Sequence, residues 1–320
     1  MMGLSAVSSL NPRFLGMTGM HGKYAASKAM HESDLIIAIG TRFSDRATGN
    51  KKEFSNGKNI IHIDIDPAEI GKNIPVYVSL IGDVKAVLTK LNSTIEKCDK
   101  GQWHKEVEDI KNCPDSHLDM DKTRLNPQSV IEAVRSYTRE DEVIATDVGQ
   151  HQMWVSQYYK FSAPKTFITS GGLGTMGFGM GAAIGACMAK DKKRTVLFTS
   201  DGCFHMNLNE LATAVTYNLP IVIIVLNNYV LGMVRQWQTL FFGERYSNTS
   251  LYRKTDYVKL AEAFGAKGFR IENISDIDKI LKQAFSLNAP VVIDVKIDPD
   301  EKVLPMIPPN GTMKDIILKA

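Results

Sequence analysis

TVLFTSDGCFHMNLNELATAVTYNLPIVIIVLNN, residues 195–228, is the stretch on which the architecture turns. An apolar run at 195–199 stops abruptly at Ser200-Asp201-Gly202; a second, at 221–226, opens after Leu219-Pro220 and stops at Asn227-Asn228. Continuous β-branched runs of this kind read as strands of a buried parallel sheet. Between them Leu208, Leu211, Ala212 and Val215 recur at helical spacing, so a helix is expected over 207–218. Asn207, with Glu210 three residues on, has the form of a capping box. The unit is then βαβ, and its right-handed crossover returns the chain to the same edge of the sheet. Asp201 and Asn228 should therefore be neighbours at the carboxyl edge, where open α/β sheets hold ligands.

A carboxylate and a carboxamide there, with no His or Cys ligand partner, suit a hard cation such as Mg2+, which takes oxygen ligands and shares them with substrate phosphates. Backbone N–H groups at Gly202 and Cys203 are placed to receive phosphate oxygens. A plainer reading has Asp201 capping a loop and the paired asparagines making a turn. The pattern alone leaves both standing.

Upstream, a strand at 143–146 ends in Asp147-VGQH-Gln152, a third strand end at the same edge. Gln150, His151 and Gln152 there offer hydrogen bonds to a diphosphate without fixed charge. Gly177, Gly181 and Gly185, spaced by four, should share a helix face and permit tight packing. Gly171, Gly172 and Gly174 precede that helix, where backbone must approach something closely. Downstream, YVLGMVRQWQTLFFGERYSNTSLYR (229–253) interleaves aromatics with Arg235, Glu244 and Arg245, as a lid over a wet pocket would. Helices at 258–264 and 277–286 and strands at 268–271 and 290–295 complete a doubly wound sheet. The proline-rich tail, VLPMIPPNGTMKDIILKA, reads as an arm closing over the site.

The chain's first part carries apolar runs at 34–40 and 59–66 and a helix at 25–32, part of a Rossmann-like sheet. Gly40-Thr41-Arg42 follows one strand, and Asp64 and Asp66 end the other. A strand-end acid can hold a ribose hydroxyl and an Arg a phosphate, although the same residues serve equally as turn and cap chemistry. From 94 to 126 the chain is charged and broken, with Trp103, Val107 and Ile110 at helical spacing. A boundary is expected at Asn126, where Pro127 precedes a helix over 129–137.

The 320 residues allow two domains, and 44% hydrophobic content fills ordinary cores. A net charge of +3, with no basic block, excludes nucleic acid and membrane surfaces as expected partners. Four cysteines (98, 113, 187, 203) show no C-x-x-C spacing, so neither a zinc site nor a disulfide framework is expected. No signal peptide is visible, and the glycine-and-apolar run at 178–189 is too short to span a bilayer. A reducing cytoplasm is the expected location.

Asp-Gly followed by Asn-Asn across one βαβ unit resembles the cofactor signature of thiamine diphosphate enzymes. GQHQMW (149–154), SGGLGTMGFG (170–179) and LGMVRQWQTLFFGERYS (231–247) resemble the catalytic subunits of acetolactate synthase, or acetohydroxyacid synthase. GMTGMHG (16–22), GTRFSDRATG (40–49) and HIDIDPAEIGKN (62–73) resemble that family's central, FAD-binding domain. The family usually has Gly where this chain has Ser200, and more often Asp where it has Ser44.

The resemblance implies an α/β chain: a partial Rossmann-like central domain (1–93), a linker (94–125) and a doubly wound thiamine diphosphate-binding domain (126–320). It implies Mg2+ held by Asp201, Asn228 and the Val230 carbonyl. Thiamine diphosphate would contact Gln150, His151, Gly174, Gly202, Cys203, Asn228, Gly232 and Met233. Met176 would wedge the cofactor into a V shape, and Met233 and Trp237 would line the substrate pocket. FAD, structural in that family, would contact His21, Gly22, Gly40, Arg42, Asp64 and Asp83.

The implied reaction decarboxylates pyruvate and adds the two-carbon unit to pyruvate or 2-oxobutyrate, in branched-chain amino acid biosynthesis. The implied assembly is a homodimer or tetramer, with a possible regulatory small subunit. The family's general acid/base is a Glu of an N-terminal domain that this sequence lacks, so a fragment or split subunit is expected. Three other readings compete. A sister thiamine diphosphate decarboxylase, oxidase or carboligase would lack the QWQTLFFGERYS lid. A cofactor-binding fragment would show no turnover. A nicotinamide dehydrogenase would need a G-x-G-x-x-G after an early strand, and none is present.

Overall fold

The computed structural model describes residues 1–98 and 101–319. Asp99 and Lys100 of the expected linker, and Ala320 of the expected C-terminal domain, lie outside the described residues. The chain forms two compact units: Leu15–Leu118 with Leu304–Lys319, and Met1–Phe14 with Asp119–Val303. Among the described residues no helix is long and apolar enough to cross a membrane.

The first unit runs α1 (Tyr24–Glu32), β1 (Leu35–Ile39), α2 (Asp45–Thr48), α3 (Lys51–Ser55), β2 (Asn59–Asp64), β3 (Val78–Ile81), α4 (Val84–Thr94) and α5 (Gly101–Asn112). Its three strands form a parallel sheet in the order β1-β2-β3. The short, partly exposed β3 has no counterpart in the sequence reading. α5 falls inside the expected linker and packs on α1. Side chains alternate across a strand, so Ile36 and Ala38 enter a core with Phe43, Ile60 and Ile74. Leu35, Ile37 and Ile39 face the other way, at 45%, 52% and 43% exposure. The run is apolar throughout but is covered on one side only. The tail belongs to this unit, with the Ile307 N–H donating to Met20 O and the Asn50 N–H to Gly311 O.

The second unit runs α6 (Pro127–Tyr137), β4 (Val143–Thr146), α7 (Gln150–Tyr158), β5 (Phe167–Thr169), α8 (Phe178–Ala189), β6 (Thr195–Ser200), α9 (Asp201–Asn207), α10 (Leu211–Thr216), β7 (Ile221–Asn227), α11 (Gly232–Phe241), α12 (Tyr257–Ala263), β8 (Lys267–Ile271), α13 (Ile277–Ser286) and β9 (Val291–Lys296). All six strands are parallel, in the order β5-β4-β6-β7-β9-β8. One face packs Ala145, Leu197, Ile223, Val225 and Val292 against Met180, Ala183, Leu211, Ala214, Tyr257 and Ala261 from α8, α10 and α12. Helices α7 and α13 pack on the sheet as well, and α6 packs against both of them. The sheet is doubly wound. After β5 the chain crosses back over β4 to lay down β6, so the switch point lies between the carboxyl ends of β4 and β6.

Three local expectations are corrected. The crossover helix begins at Asp201, because the Ser200 hydroxyl accepts the Cys203 N–H at 3.3 Å and caps it. Asn207 caps nothing: its amide donates to Gly177 O at 2.6 Å, so the capping box is absent. Ala214, rather than Ala212, takes the core position beside Leu211.

The glycines of α8 also differ from expectation. A Cβ at Gly181 or Gly185 would meet nothing within 4 Å, whereas one at Gly179 would stand 2.8 Å from Leu197 Cδ1 and 2.9 Å from Asp147 Oδ2. The close approach is to the β4 and β6 side of the helix, one residue pair away from the regular spacing. Gly179→Ala should therefore lower stability by about 1–3 kcal/mol. Gly181→Ala should raise it by about 0.5–1 kcal/mol, through lost unfolded-state freedom. Urea denaturation of the two variants checks the pair, and equal effects would contradict this packing.

Candidate active site

Strands β6 and β7 run parallel with Ser200 opposite Leu226, so Asp201 and Asn228 leave the sheet on neighbouring strands at the same edge. Asp201 is 1% exposed, and neither carboxylate oxygen has a hydrogen-bond partner among the described residues. Burial pushes its pKa up to about 6, offset only in part by the nearby Gly202 backbone and the Arg253 guanidinium. Arg253 and Tyr257 bind the Asp201 carbonyl instead, at 2.9 and 3.4 Å, which fixes the backbone and leaves the carboxylate oxygens without a hydrogen bond among the described residues.

The two asparagines divide their work. Asn227 donates to Asp294 Oδ1 at 2.9 Å within the sheet. Asn228 donates its amide to Gln150 Oε1 at 3.3 Å, and its Oδ1 accepts from the Val230 N–H at 3.3 Å. Tyr229 between them has φ +60, a strained conformation for a bulky residue. Lys296 holds it there, with Nζ 2.6 Å from the phenol oxygen and over the ring. Val230 bridges Ser250, and the flanking bonds are Leu231 N–H to Thr249 O and Leu251 N–H to Tyr229 O. In that arrangement the N–H and C=O of Val230 point away from Ser250. Its N–H meets Asn228 Oδ1, so its carbonyl faces the same side as that oxygen.

A cavity of about 90 Å³ opens here, lined by residues that include His151, Met176, Ser200, Asn228, Val230, Gly232 and Met233. His151 is buried, its Nε2 has no partner among the described residues, and burial drives its pKa down to about 3. It is a neutral imidazole with one nitrogen to offer. Met176 is half-buried, and its methyl would stand 3.7 Å from a Cβ at Gly202. Trp237 lies one helical turn beyond Met233 on α11, edge-on to Phe241 at 5.5 Å between centroids.

Other expected contacts are already spent. Gln150 lines the cavity, yet its Nε2 donates to Gln236 Oε1 and Glu301 O, and Gln152 donates to Thr169 Oγ1. Both hydrogens of the Gln150 carboxamide and one of Gln152's are thus engaged within the protein. The Cys203 N–H goes to Ser200, and its thiol, pushed up to about 12 by burial, donates to Val148 O. Gly172 and Gly174 approach nothing closely; Gly174 is required by its φ of +68.

Asp147, not singled out from sequence, accepts the backbone N–H groups of Gly177 and Gly179 at 2.7 and 3.3 Å and so sets the Met176 loop. An Asp at a strand end before a glycine-rich segment is the signal that could have found it. Gln236 carries no sequence signal at all.

In the first unit, Gly40 and Arg42 follow β1, Asp64 ends β2 and Asp83 follows β3, so all four stand at one sheet edge. Asp83 caps α4 through Ala86 N, and Asp64 Oδ1 accepts the Asp66 N–H, as ordinary cap and turn chemistry. The Arg42 side chain is exposed and pairs with no carboxylate among the described residues. His21 is buried, and a Cβ at Gly22 would stand 2.5 Å from Met17 O. Among the described residues no three His, Cys, Asp or Glu side chains group to hold a metal. The oxygen set of the second unit, with its single carboxylate, fits a hard cation that completes its shell elsewhere.

Residues 147–295 match the family described as thiamine pyrophosphate enzyme, C-terminal TPP binding domain, and residues 1–91 match its central domain. The chain is 42% identical to a probable acetolactate synthase large subunit of Methanococcus aeolicus, over 99% of this chain and 56% of that protein. It is 42% identical to the acetolactate synthase large subunit of Haemophilus influenzae, over 99% of this chain and 57% of that protein. It is 40% identical to the acetolactate synthase isozyme 2 large subunit of Escherichia coli, over 99% of this chain and 57% of that protein. The chain thus spans a little over half the length of these relatives.

The Asp201 pKa lies above the ordinary carboxylate value, so the fold binds the proton more tightly than the unfolded chain does. In cation-free buffer this contribution is full below about pH 4 and is lost as pH rises through about 6. Asp201→Asn should abolish that loss. Denaturation midpoints of both proteins across this range test it, and parallel curves would contradict it.

Proposed function

Because the chain belongs to the thiamine pyrophosphate enzyme family, we propose that it supplies the metal- and diphosphate-holding part of an acetolactate synthase active site, in branched-chain amino acid biosynthesis. The observation that carries this is the buried Asp201 carboxylate, without a hydrogen bond to either oxygen, next to an asparagine on the adjacent strand. A charge so placed calls for a cation.

Asp201, the Asn228 side-chain oxygen and the Val230 carbonyl would hold Mg2+. A neutral His151 would lie beside the diphosphate without repelling the cation, and its Nε2 would donate to a phosphate oxygen in the tautomer that carries the proton there. Met176 would press on the bound ring system from beneath, and Met233 and Trp237 would shape the pocket for the keto acids and keep water out. Thiamine diphosphate, when bound, supplies the carbon nucleophile and electron sink for decarboxylating pyruvate and joining the two-carbon unit to pyruvate or 2-oxobutyrate. Among the described residues, those lining the cavity include no carboxylic acid. A general acid that activates the cofactor, and part of the cofactor's enclosure, would be supplied by a partner segment, as the acetolactate synthase resemblance implies. The proposed assembly is a homodimer or tetramer with a regulatory small subunit. FAD is proposed at the carboxyl edge of β1–β3, where the unpaired Arg42 would meet its diphosphate and Asp64 a ribose hydroxyl.

Mg2+ with thiamine diphosphate should raise the melting temperature of the wild-type chain, and Asp201→Ala should abolish the shift. With pyruvate present, acetolactate should form only when an N-terminal half from a relative is added. Product from the chain alone, or a shift that survives Asp201→Ala, would refute the assignment. Flavin absorbance retained through gel filtration and lost in Arg42→Ala tests the flavin site.

A further inference from the structure

The orientation of the Asn228 carboxamide is set by a chain of buried amides that begins at a backbone group two elements away. On α11, Gly232 and Gln236 are four residues apart and share a face. Gln236 pairs with the backbone of Val303 in both directions: its Oε1 accepts the Val303 N–H at 2.8 Å, and its Nε2 donates to Val303 O at 3.1 Å. A backbone peptide cannot flip, so this pair fixes which end of Gln236 is oxygen. That oxygen accepts Gln150 Nε2 at 3.1 Å, and Glu301 O accepts the same amide at 2.8 Å. Gln150 must then turn its Oε1 toward Asn228, which donates Nδ2 to it at 3.3 Å. With Nδ2 turned to Gln150, Asn228 presents Oδ1, which also accepts the Val230 N–H at 3.3 Å, to the edge of the site. Gly232 makes room for this: a Cβ there would stand 1.9 Å from Gln150 Oε1 and 2.8 Å from Asn228 Nδ2. Gln150, Asn228 and Gln236 are 5%, 5% and 2% exposed, so water does not compete for these bonds.

We propose that Gln236 is a positioning residue that acts through Gln150 to keep the oxygen of Asn228, rather than its NH2 group, facing the cation. The inference rests on the metal site proposed above. It also assigns Gly232 and Gln150 to the support of a ligand, in place of direct cofactor contact. Without Gln236, Gln150 keeps only Glu301 O as acceptor for its amide, and Asn228 relies on the long 3.3 Å bond from the Val230 N–H to keep its oxygen toward the ion. The loosened pair then samples orientations in which Asn228 offers hydrogens to a positive ion.

The test uses the full chain with Mn2+ in place of Mg2+, in the presence of thiamine diphosphate. Bound metal is read as loss of the free Mn2+ electron paramagnetic resonance signal. Gln236→Leu should raise the Mn2+ dissociation constant by about 10–100-fold, the range for loss of a ligand's supporting partner. Gln236→Met, closer in shape, should do the same and guards against a folding defect in the first variant. The second arm places the substitutions in an Asn228→Asp background. A carboxylate has no wrong end, and an intact relay would aim Gln150 Oε1 at it, so Q236L should there tighten Mn2+ binding. Reversal of sign between the two backgrounds is the expected result. Equal losses in both, or a lower melting temperature with unchanged Mn2+ affinity, would overturn the relay and leave the metal site standing. Failure of the wild-type chain to bind Mn2+ would instead overturn the metal site, and the relay with it.

Discussion

A carboxylate buried at the end of a parallel strand, with neither oxygen hydrogen-bonded, is the constraint on which this molecule depends. An unsatisfied buried acceptor costs about 1–3 kcal/mol, and more when charged. The fold accepts that cost in a specific way. Arg253 and Tyr257 anchor the Asp201 carbonyl, Ser200 caps the turn, and a strained Tyr229 brings the Asn228 and Val230 oxygens to the same side. Each of these interactions stabilises the backbone while leaving the reactive oxygens open. Stability is supplied around the site rather than in it.

The βαβ unit, the two sheets and most strand ends were legible because continuous apolar runs ending at Asp, Asn and Gly are governed by local rules. Asp201, Asn228 and the VIAT strand fell where those rules put them. What escaped depends on partners far along the chain. Asn207 looks like a helix cap until Gly177, thirty residues upstream, offers a carbonyl. Gly181 looks like a packing glycine, but the sheet meets α8 at Gly179. Gln150 looks free to hydrogen-bond a ligand until α11 and the Glu301–Val303 strap take its amide. β3 and β5, of four and three residues, are too short to carry a pattern. Spacing reads faces and ends well; it does not read which of several polar groups will find a partner.

The site also shows how a fold gives direction to an ambiguous side chain. Oxygen and nitrogen of a carboxamide are nearly the same size, so packing cannot tell them apart; only hydrogen bonds can. The second unit meets that need with buried amides tied to the main chain, which has fixed polarity. His151 is treated by the opposite means, since burial alone keeps it uncharged.

The bare apolar side of β1, with Leu35, Ile37 and Ile39 in a row, lies in a different unit from Asp201 and Asn228. Greasy rungs facing water are adhesive, and a flat row of them on a peripheral strand invites like molecules to stick. Solubility and chemistry are therefore separable traits in this chain. Polar replacements along that row would change how concentrated a solution it tolerates without touching the atoms that grip a ligand.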